Sequence, residues 1–344
     1  MTTNHPARAH CLSSRRGPSL TGGGALHRII LILSVLFAWL GSERIVQAGA
    51  PPLPAQLQQT RFISYTPRSF SIAGERVVAA TESGIRADLK LLRPHFNGLI
   101  TYSATSGVEA VPAIAHELGY RAVVMGIWDP LSEVEFRNVT EAARRYPSLV
   151  TAVIVGNEGL YTGRYRQADL RQAVLRIKRE CPALAVTTSE PFFLYFKKEN
   201  TGLFSSLDLL MPNIHPIFEP WFKPGDPVAG VNMVLNLVGQ FQATYPLPLL
   251  IKETGVPSGP ATGQAGFTPE GQARFWSDLL SRFPAAANLA LACFEAFDAP
   301  WKPATIGNEF PGDHATEAFW GFFTSKGEGK PVIKALPELV EPLR

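Results

Sequence analysis

Residues 249–260 read LLIKETGVPSGP. An apolar run stops at a carboxylate, Glu253, and then breaks into Gly255, Pro257 and Gly259. That is how a buried strand ends in a tight loop. Residues 151–160, TAVIVGNEGL, repeat the pattern, with a Val/Ile run that ends at Asn157 and Glu158. A lone Glu there is often only the first solvated residue after a strand. Two buried strands that each carry one Glu to the C-terminal tip suggest paired carboxylates in one site.

Outward from these two stretches, the chain keeps alternating. Strands are expected at 62–66, 98–102, 121–128, 150–156, 184–190, 207–213, 247–252 and 288–297. Between them, Ile85, Leu89 and Leu92 recur at helical spacing, as do Val108, Val111, Ala115 and Leu118, and Leu170, Val174 and Ile177. Asp129-Pro130 and Thr268-Pro269 each open a helix with a cap and a first-turn Pro, and 228–244 is helical. The strands are apolar nearly throughout, as a parallel sheet buried on both faces requires. The expected class is α/β, a single (β/α)8 TIM barrel, which needs roughly 250 residues. The competitor, a doubly wound sheet, usually shows a Gly-rich turn after its first strand. Here that turn is Thr66-Pro67-Arg68, without glycine.

The 344 residues are 46% hydrophobic and 18% charged, which describes a globular chain with a sizeable core. The net charge of +3 is unevenly spread. Residues 1–50 hold five arginines against Glu43, which leaves 27 basic and 28 acidic residues beyond. No basic face remains for nucleic acid. His27 and Arg28 precede an apolar stretch at 29–40, and Ala48-Gly49-Ala50 offers small residues for cleavage. This is a secretory signal pattern with a long polar front, or an anchor if uncleaved. A twin-arginine reading of Arg15-Arg16 suffers from their distance to the apolar stretch. That stretch is short of the about 20 residues a membrane span needs. The expectation is an exported monomer, periplasmic or extracellular, that touches the membrane only through 29–40. Residues 51–60 are Pro- and Gln-rich and read as a linker, with the catalytic domain at 61–344. Cys11 would leave with the leader; Cys181 and Cys293 are expected as buried thiols rather than a disulfide framework.

In a barrel, active sites form at the C-terminal ends of the strands. The alignment puts Tyr65, Tyr102, Trp128, Asn157, Glu158, Glu190, His215, Glu253 and Glu295 there, and loops just beyond add Tyr161, Trp221, Asp298, Trp301 and Lys302. Flat aromatics stack on sugar rings and carboxylates take sugar hydroxyls, so this rim suits a carbohydrate cleft. Plainer roles stay open: Trp128, Trp221 and Trp301 as core cover, His215 as a wall residue, Glu295 as a strand-end carboxylate. His95, His116 and His314 are scattered, with no HExxH or H-x-H spacing, so no metal and no cofactor are expected. GEGK at 327–330 lacks the spacing and following helix of a phosphate loop. Glycoside hydrolysis needs one protonated and one ionised carboxyl group flanking the scissile bond. Glu158 and Glu253, from the fourth and seventh strands, can face each other across a barrel mouth.

These residues carry a resemblance. VGNEGLY at 155–161 and ETGVPSG at 253–259 resemble glycoside hydrolase family 17, the β-1,3-glucanases, within the clan of retaining glycosidase barrels. FEAFDAPWK at 294–302 and WGFF at 320–323 resemble that family's last strand and closing segment, so the likeness spans about 60–335. The resemblance implies Glu158 as acid/base, Glu253 as nucleophile, Asn157 on the sugar 2-hydroxyl, and Glu295 with Lys302 as supporting charges. Tyr65, Tyr102, Tyr161, His215, Trp221 and Trp301 complete the expected substrate-binding set. It implies a retaining enzyme with carboxyl groups about 5–5.5 Å apart, acting by hydrolysis or transglycosylation on β-glucan oligo- or polysaccharide. Departures bear on substrate fit. Val256 stands where the family carries Trp or Tyr, His215 where plant members carry Tyr, and Lys252 where a small residue is common. Strict strand alternation turns Lys252 away from the cleft; an inward bulge lets it lower the pKa of Glu253. A glycan-binding barrel without turnover, and a same-clan enzyme for another β-linkage, are the alternatives.

Overall fold

The computed structural model describes residues 50–260, 266–309 and 312–339. The expected leader, save Ala50, lies outside the described residues. The first strand, β1 (Phe62–Ser64), is followed by a hairpin, β2 (Ser71–Ala73) and β3 (Arg76–Val78). Helix α1 (Glu82–Leu92) leads to β4 (Gly98–Ile100), α2 (Val111–Glu117) to β5 (Ala122–Ile127), and α3 (Glu133–Arg145) to β6 (Val150–Asn157). A single turn, α4 (Gly159–Thr162), and α5 (Gln167–Glu180) precede β7 (Ala185–Ser189). Then come α6 (Pro227–Thr244), β8 (Leu249–Ile251), α7 (Pro269–Arg282), β9 (Leu289–Cys293) and α8 (Lys302–Glu309). The main sheet is parallel and curled, in the order β7-β6-β5-β4-β1-β9-β8.

Seven of the eight expected strands are therefore present. The sixth, at 207–213, makes isolated bridges instead: Leu210 with Leu249, and Asn213 with both Pro191 and Glu253. Pro212 has no N–H to donate, so a continuous ladder cannot form through it. The segment still bonds to both sheet edges. Asp208 and Asn213 donate to the carbonyls of Val186 and Glu190, and Leu250 and Lys252 donate to those of Leu210 and Pro212.

Residues on alternate strand positions fill two clusters. Ile63, Leu99, Val123, Val153 and Ile251 pack outward under the helices, against Ile85, Leu89, Val111 and Phe136 among others. Phe62, Ile100, Val124, Ile154, Leu250 and Ala292 form a second cluster on the other face, with Leu209 and Met211. Both faces are dry, which explains the uninterrupted apolar runs. Residues 51–60 are not a free linker: Leu53 and Leu57 are buried in that second cluster, and Leu53 N–H donates to Ala287. The leucines, not the prolines, decide this segment.

Helix starts follow their caps. Thr81 and Thr268 accept from Gly84 and Gly271 N–H, at 3.1 and 3.0 Å. The helix expected to open at Asp129-Pro130 begins at Glu133 instead, capped by Ser132, because Asp129 folds back in a turn to accept from Leu131 N–H. Cys181 and Cys293 are buried free thiols. Among the described residues no helix is long and apolar enough to cross a membrane. Lys330, in the GEGK stretch, is bonded to Asp298 and Ser258.

Candidate active site

Glu158 sits immediately after β6. Its backbone is left-handed, φ 52° and ψ 18°, a conformation that strains a residue with a Cβ. The surroundings hold it there. Its N–H donates to Ser189 carbonyl at 2.8 Å. The Glu190 carboxylate accepts from Leu160 and Tyr161 N–H at 2.9 and 3.2 Å, and from Tyr165 hydroxyl at 3.1 Å. Tyr165 Oη in turn accepts from Gly159 N–H at 3.1 Å. The ring lies so close that a Cβ on Gly159 would fall 1.9 Å from it, so the family-like GNEG stretch needs glycine there. Burial raises the Glu190 pKa to about 7, against the two backbone N–H groups and Tyr165 that favour its charge.

Glu253 follows β8 and is 5% exposed. Lys252, 0% exposed, reaches the same place. The strand ends at Ile251, so alternation no longer sends Lys252 and Glu253 to opposite sides. Lys252 Nζ pairs with Glu253 Oε1, donates to Asn157 Oδ1 at 2.6 Å and lies 4.1 Å from the Tyr102 ring centre. His215 Nε2 is 3.2 Å from Glu253 Oε2. Burial pushes the Glu253 carboxyl up, but the Lys252 charge and the His215 contact outweigh it and hold the pKa well below the usual range. Glu158 goes the other way. Burial and then the Glu253 charge raise its pKa, against an Asn213 amide that donates to Oε1 at 2.8 Å. One ligand atom each of Glu158, Glu253 and His215 lies within 4.8 Å of the others. Such a trio has the spacing of a cation site, yet Lys252 already supplies a positive charge to Glu253.

The remaining expected residues divide. Tyr102 is in the site, its hydroxyl buried; burial, then the charges of Glu253 and Glu295, raise its pKa. Glu295, 1% exposed, is ion-paired with Lys302. His215 also meets Phe294 and Trp320 edge-on, at 5.3 and 5.1 Å. Trp301 is half-buried against Phe70 at 5.7 Å. Tyr161 and Trp221 are exposed, with no side-chain hydrogen bond to Glu158 or Glu253 among the described residues, and Trp128 lies under Arg164 at 3.9 Å. Tyr65 is a correction: it is 0% exposed and its hydroxyl donates to Asp88 at 3.1 Å, so it faces the core and not a ligand. Asn213, which holds Glu158 while Ser189 Oγ donates to its Oδ1 at 2.8 Å, was not singled out from the sequence. Its only signal is its place at the tip of the expected sixth strand.

Two carboxyl groups with pKa values shifted in opposite directions, within 4.8 Å of each other beside a half-buried amide, have the arrangement that acid-assisted displacement at a sugar carbon requires. The profile of the BtgE/BtgC glycoside hydrolase domain matches residues 63–321, and the chain belongs to that family. It is 26% identical over 270 residues to a glucan 1,3-beta-glucosidase of Arthroderma benhamiae, covering 74% of this chain and 84% of that one. A glucan 1,3-beta-glucosidase of Candida albicans is 22% identical over 268 residues, covering 71% and 83%. Among solved structures, a Rhizomucor miehei beta-1,3-glucanosyltransferase active-site mutant, in complex with laminaritriose, superposes with a TM-score of 0.60. It is 22% identical, over 82% of this chain and 98% of that one. A Formosa endo-laminarinase superposes with a TM-score of 0.62, at 17% identity, over 79% and 84%.

Proposed function

We propose that the protein is a retaining glycosidase or transglycosylase acting on β-1,3-glucan. The observation that carries this is the Glu158–Glu253 pair: the oxygens approach within 4.8 Å, and their pKa values are driven apart. That closeness favours retention, with carboxyl groups about 5–5.5 Å apart, over inversion, where about 6.5–9.5 Å leaves room for a water. The names borne by the relatives supply the linkage.

In the first step Glu253 attacks the anomeric carbon. The bond from that carbon to the bridging oxygen breaks, and Glu158 gives its proton to that oxygen. In the second step Glu158, now ionised, takes a proton from water or a sugar hydroxyl. That oxygen attacks the anomeric carbon and Glu253 leaves. Lys252 stabilises the departing carboxylate. The Asn157 Oδ1 is occupied by Lys252, so its amide nitrogen is the group left to face the 2-hydroxyl. Glu295 and Lys302 flank the pair. Glu253→Gln should lower kcat on laminari-oligosaccharides about a thousandfold or more, roughly 4 kcal/mol in the barrier, with the protein still folded. An active Glu253→Gln variant overturns the reading.

Two further points belong to this proposal. The segment 207–214, bonded to both sheet edges, is read as the eighth strand of a closed barrel. The signal pattern before residue 51 is read as export, which N-terminal sequencing of the mature protein tests.

A further inference from the structure

One flank of the molecule is unlike the others. Helix α6 contains no Asp, Glu, Lys or Arg in eighteen residues, whereas every other described helix of eight or more residues carries charge. Its exposed polar groups are neutral amides. Asn232, Asn236 and Gln240 recur at four-residue intervals, so they stand in one row over roughly 12 Å of helix. That row lines a groove of about 440 Å³, whose lining also includes Trp221, Phe192 and Glu219. The volume falls in the range of small-molecule sites, roughly 300–1,000 Å³. Asn232 Oδ1 accepts from Arg282 at 2.7 Å, which fixes the head of the row.

Among the exposed aromatic side chains, Trp221 lines the groove. Tyr161, Phe193, Phe196, Phe218 and Trp221 are all exposed. Ring contacts join Tyr161 to the groove: Tyr161 meets Phe193 at 5.6 Å, and Phe193 meets the groove-lining Phe192 at 5.7 Å. Tyr161 is three residues from Glu158, so the chain of rings begins on the acid/base side. Neither Glu158 nor Glu253 lines the groove.

We infer that this groove is a second binding site, outside the catalytic cleft, for an uncharged polysaccharide strand of the β-1,3-glucan class. The ligand class follows from the lining. Aromatic faces take the apolar faces of sugar rings. Amides both donate to and accept from hydroxyls without the hydration that a charged side chain would hold. Contacts along the helix match a chain that runs past several rings, so the site favours polymer over short oligosaccharide. The identity of the glucan rests on the function proposed above; the preference for a neutral chain rests on the groove alone.

Asn236→Glu with Gln240→Glu places two charges in the row, and the corresponding alanine pair removes the amides without adding charge. Each pair is made both in the active enzyme and in the Glu253→Gln background. Retention on insoluble β-1,3-glucan particles is measured in the Glu253→Gln background, with laminaritriose saturating the cleft. Both pairs should bind the particles about tenfold more weakly than their parent, as the loss of two hydrogen bonds predicts. In the active background, kcat/KM on laminaritriose should not change. Unaltered retention by both folded variants, or no retention by the parent, overturns the inference. A wild-type enzyme that never turns over laminaritriose, while retention still depends on the two amides, refutes the proposed activity and leaves the groove standing.

Discussion

Lys252 changes what the catalytic pair can do. Its ammonium is wholly buried, bonded to Glu253 and to Asn157, and stacked over the Tyr102 ring. Burial lowers its own pKa, and the Glu253 charge opposes that. The Lys252 charge helps keep Glu253 ionised and, in the proposed mechanism, eases its departure from the sugar. The sign of the pH effect follows. In the proposed mechanism Glu253 must be ionised, so its depressed pKa would set the acid limb of the rate profile; Glu158 must be protonated, so its raised pKa would set the alkaline limb. Lys252 lowers both pKa values, so Lys252→Met should move both limbs of kcat/KM to higher pH. It also frees Asn157 to turn. Discrimination against a 2-deoxy donor should then shrink about tenfold, the worth of one hydrogen bond to a fixed partner. Limbs that stay in place would show that the ammonium does not act on the pair. The places of the two glutamates were legible because each ends an apolar run, and the structure brings their oxygens within 4.8 Å. It left Lys252 undecided, since alternation holds only while the strand lasts, and this strand stops one residue earlier. Tyr65 failed for a related reason: a position at a strand tip does not say which side of the sheet the ring takes.

At the scale of elements, the turn after β6 is the part built for function. Gly156 and Gly159 let the Tyr165 ring lie against the backbone, and the ring's hydroxyl ties Gly159 to Glu190. Glu190 also binds the next two N–H groups, so one buried carboxylate fixes the loop that presents Glu158. Gly159→Ala should push the ring aside, costing about 1–3 kcal/mol of stability. It should lower kcat at least about tenfold, because Glu158 loses its held left-handed backbone. Thermal unfolding and steady-state kinetics check both; a stable, fully active variant would mean the ring contact does not set the loop. Long helices were legible here through their periodicity and caps. The β2–β3 hairpin was not, because three-residue strands that are half-buried or exposed leave no pattern. The sixth strand was legible as an apolar run, but Pro212 reduces its ladder to isolated bridges.

Across the whole molecule, the segment before β1 belongs to the fold. Leu53 and Leu57 close the inner cluster, and Arg61 donates to the carbonyls of Pro337 and Glu338 near the other end of the described chain. A chain begun at residue 51 should fold and keep its activity. One begun at residue 61 should be destabilised by about 2–5 kcal/mol or more, since removing even one buried Leu side chain costs that much. Equal unfolding midpoints for the two would return 51–60 to the status of a linker. Composition gave the wrong reading there because Pro and Gln outnumber the two leucines that matter. In the proposed mechanism Glu253 forms a bond to the sugar while Glu158 handles the proton. The most direct measurement is the mass of the protein, and then of its peptides, after reaction with a 2-deoxy-2-fluoro β-1,3-glucosyl donor bearing a good leaving group. One glycosyl ester per chain, on Glu253, is the expected result of that mechanism. No adduct, or an adduct on another carboxylate, contradicts it.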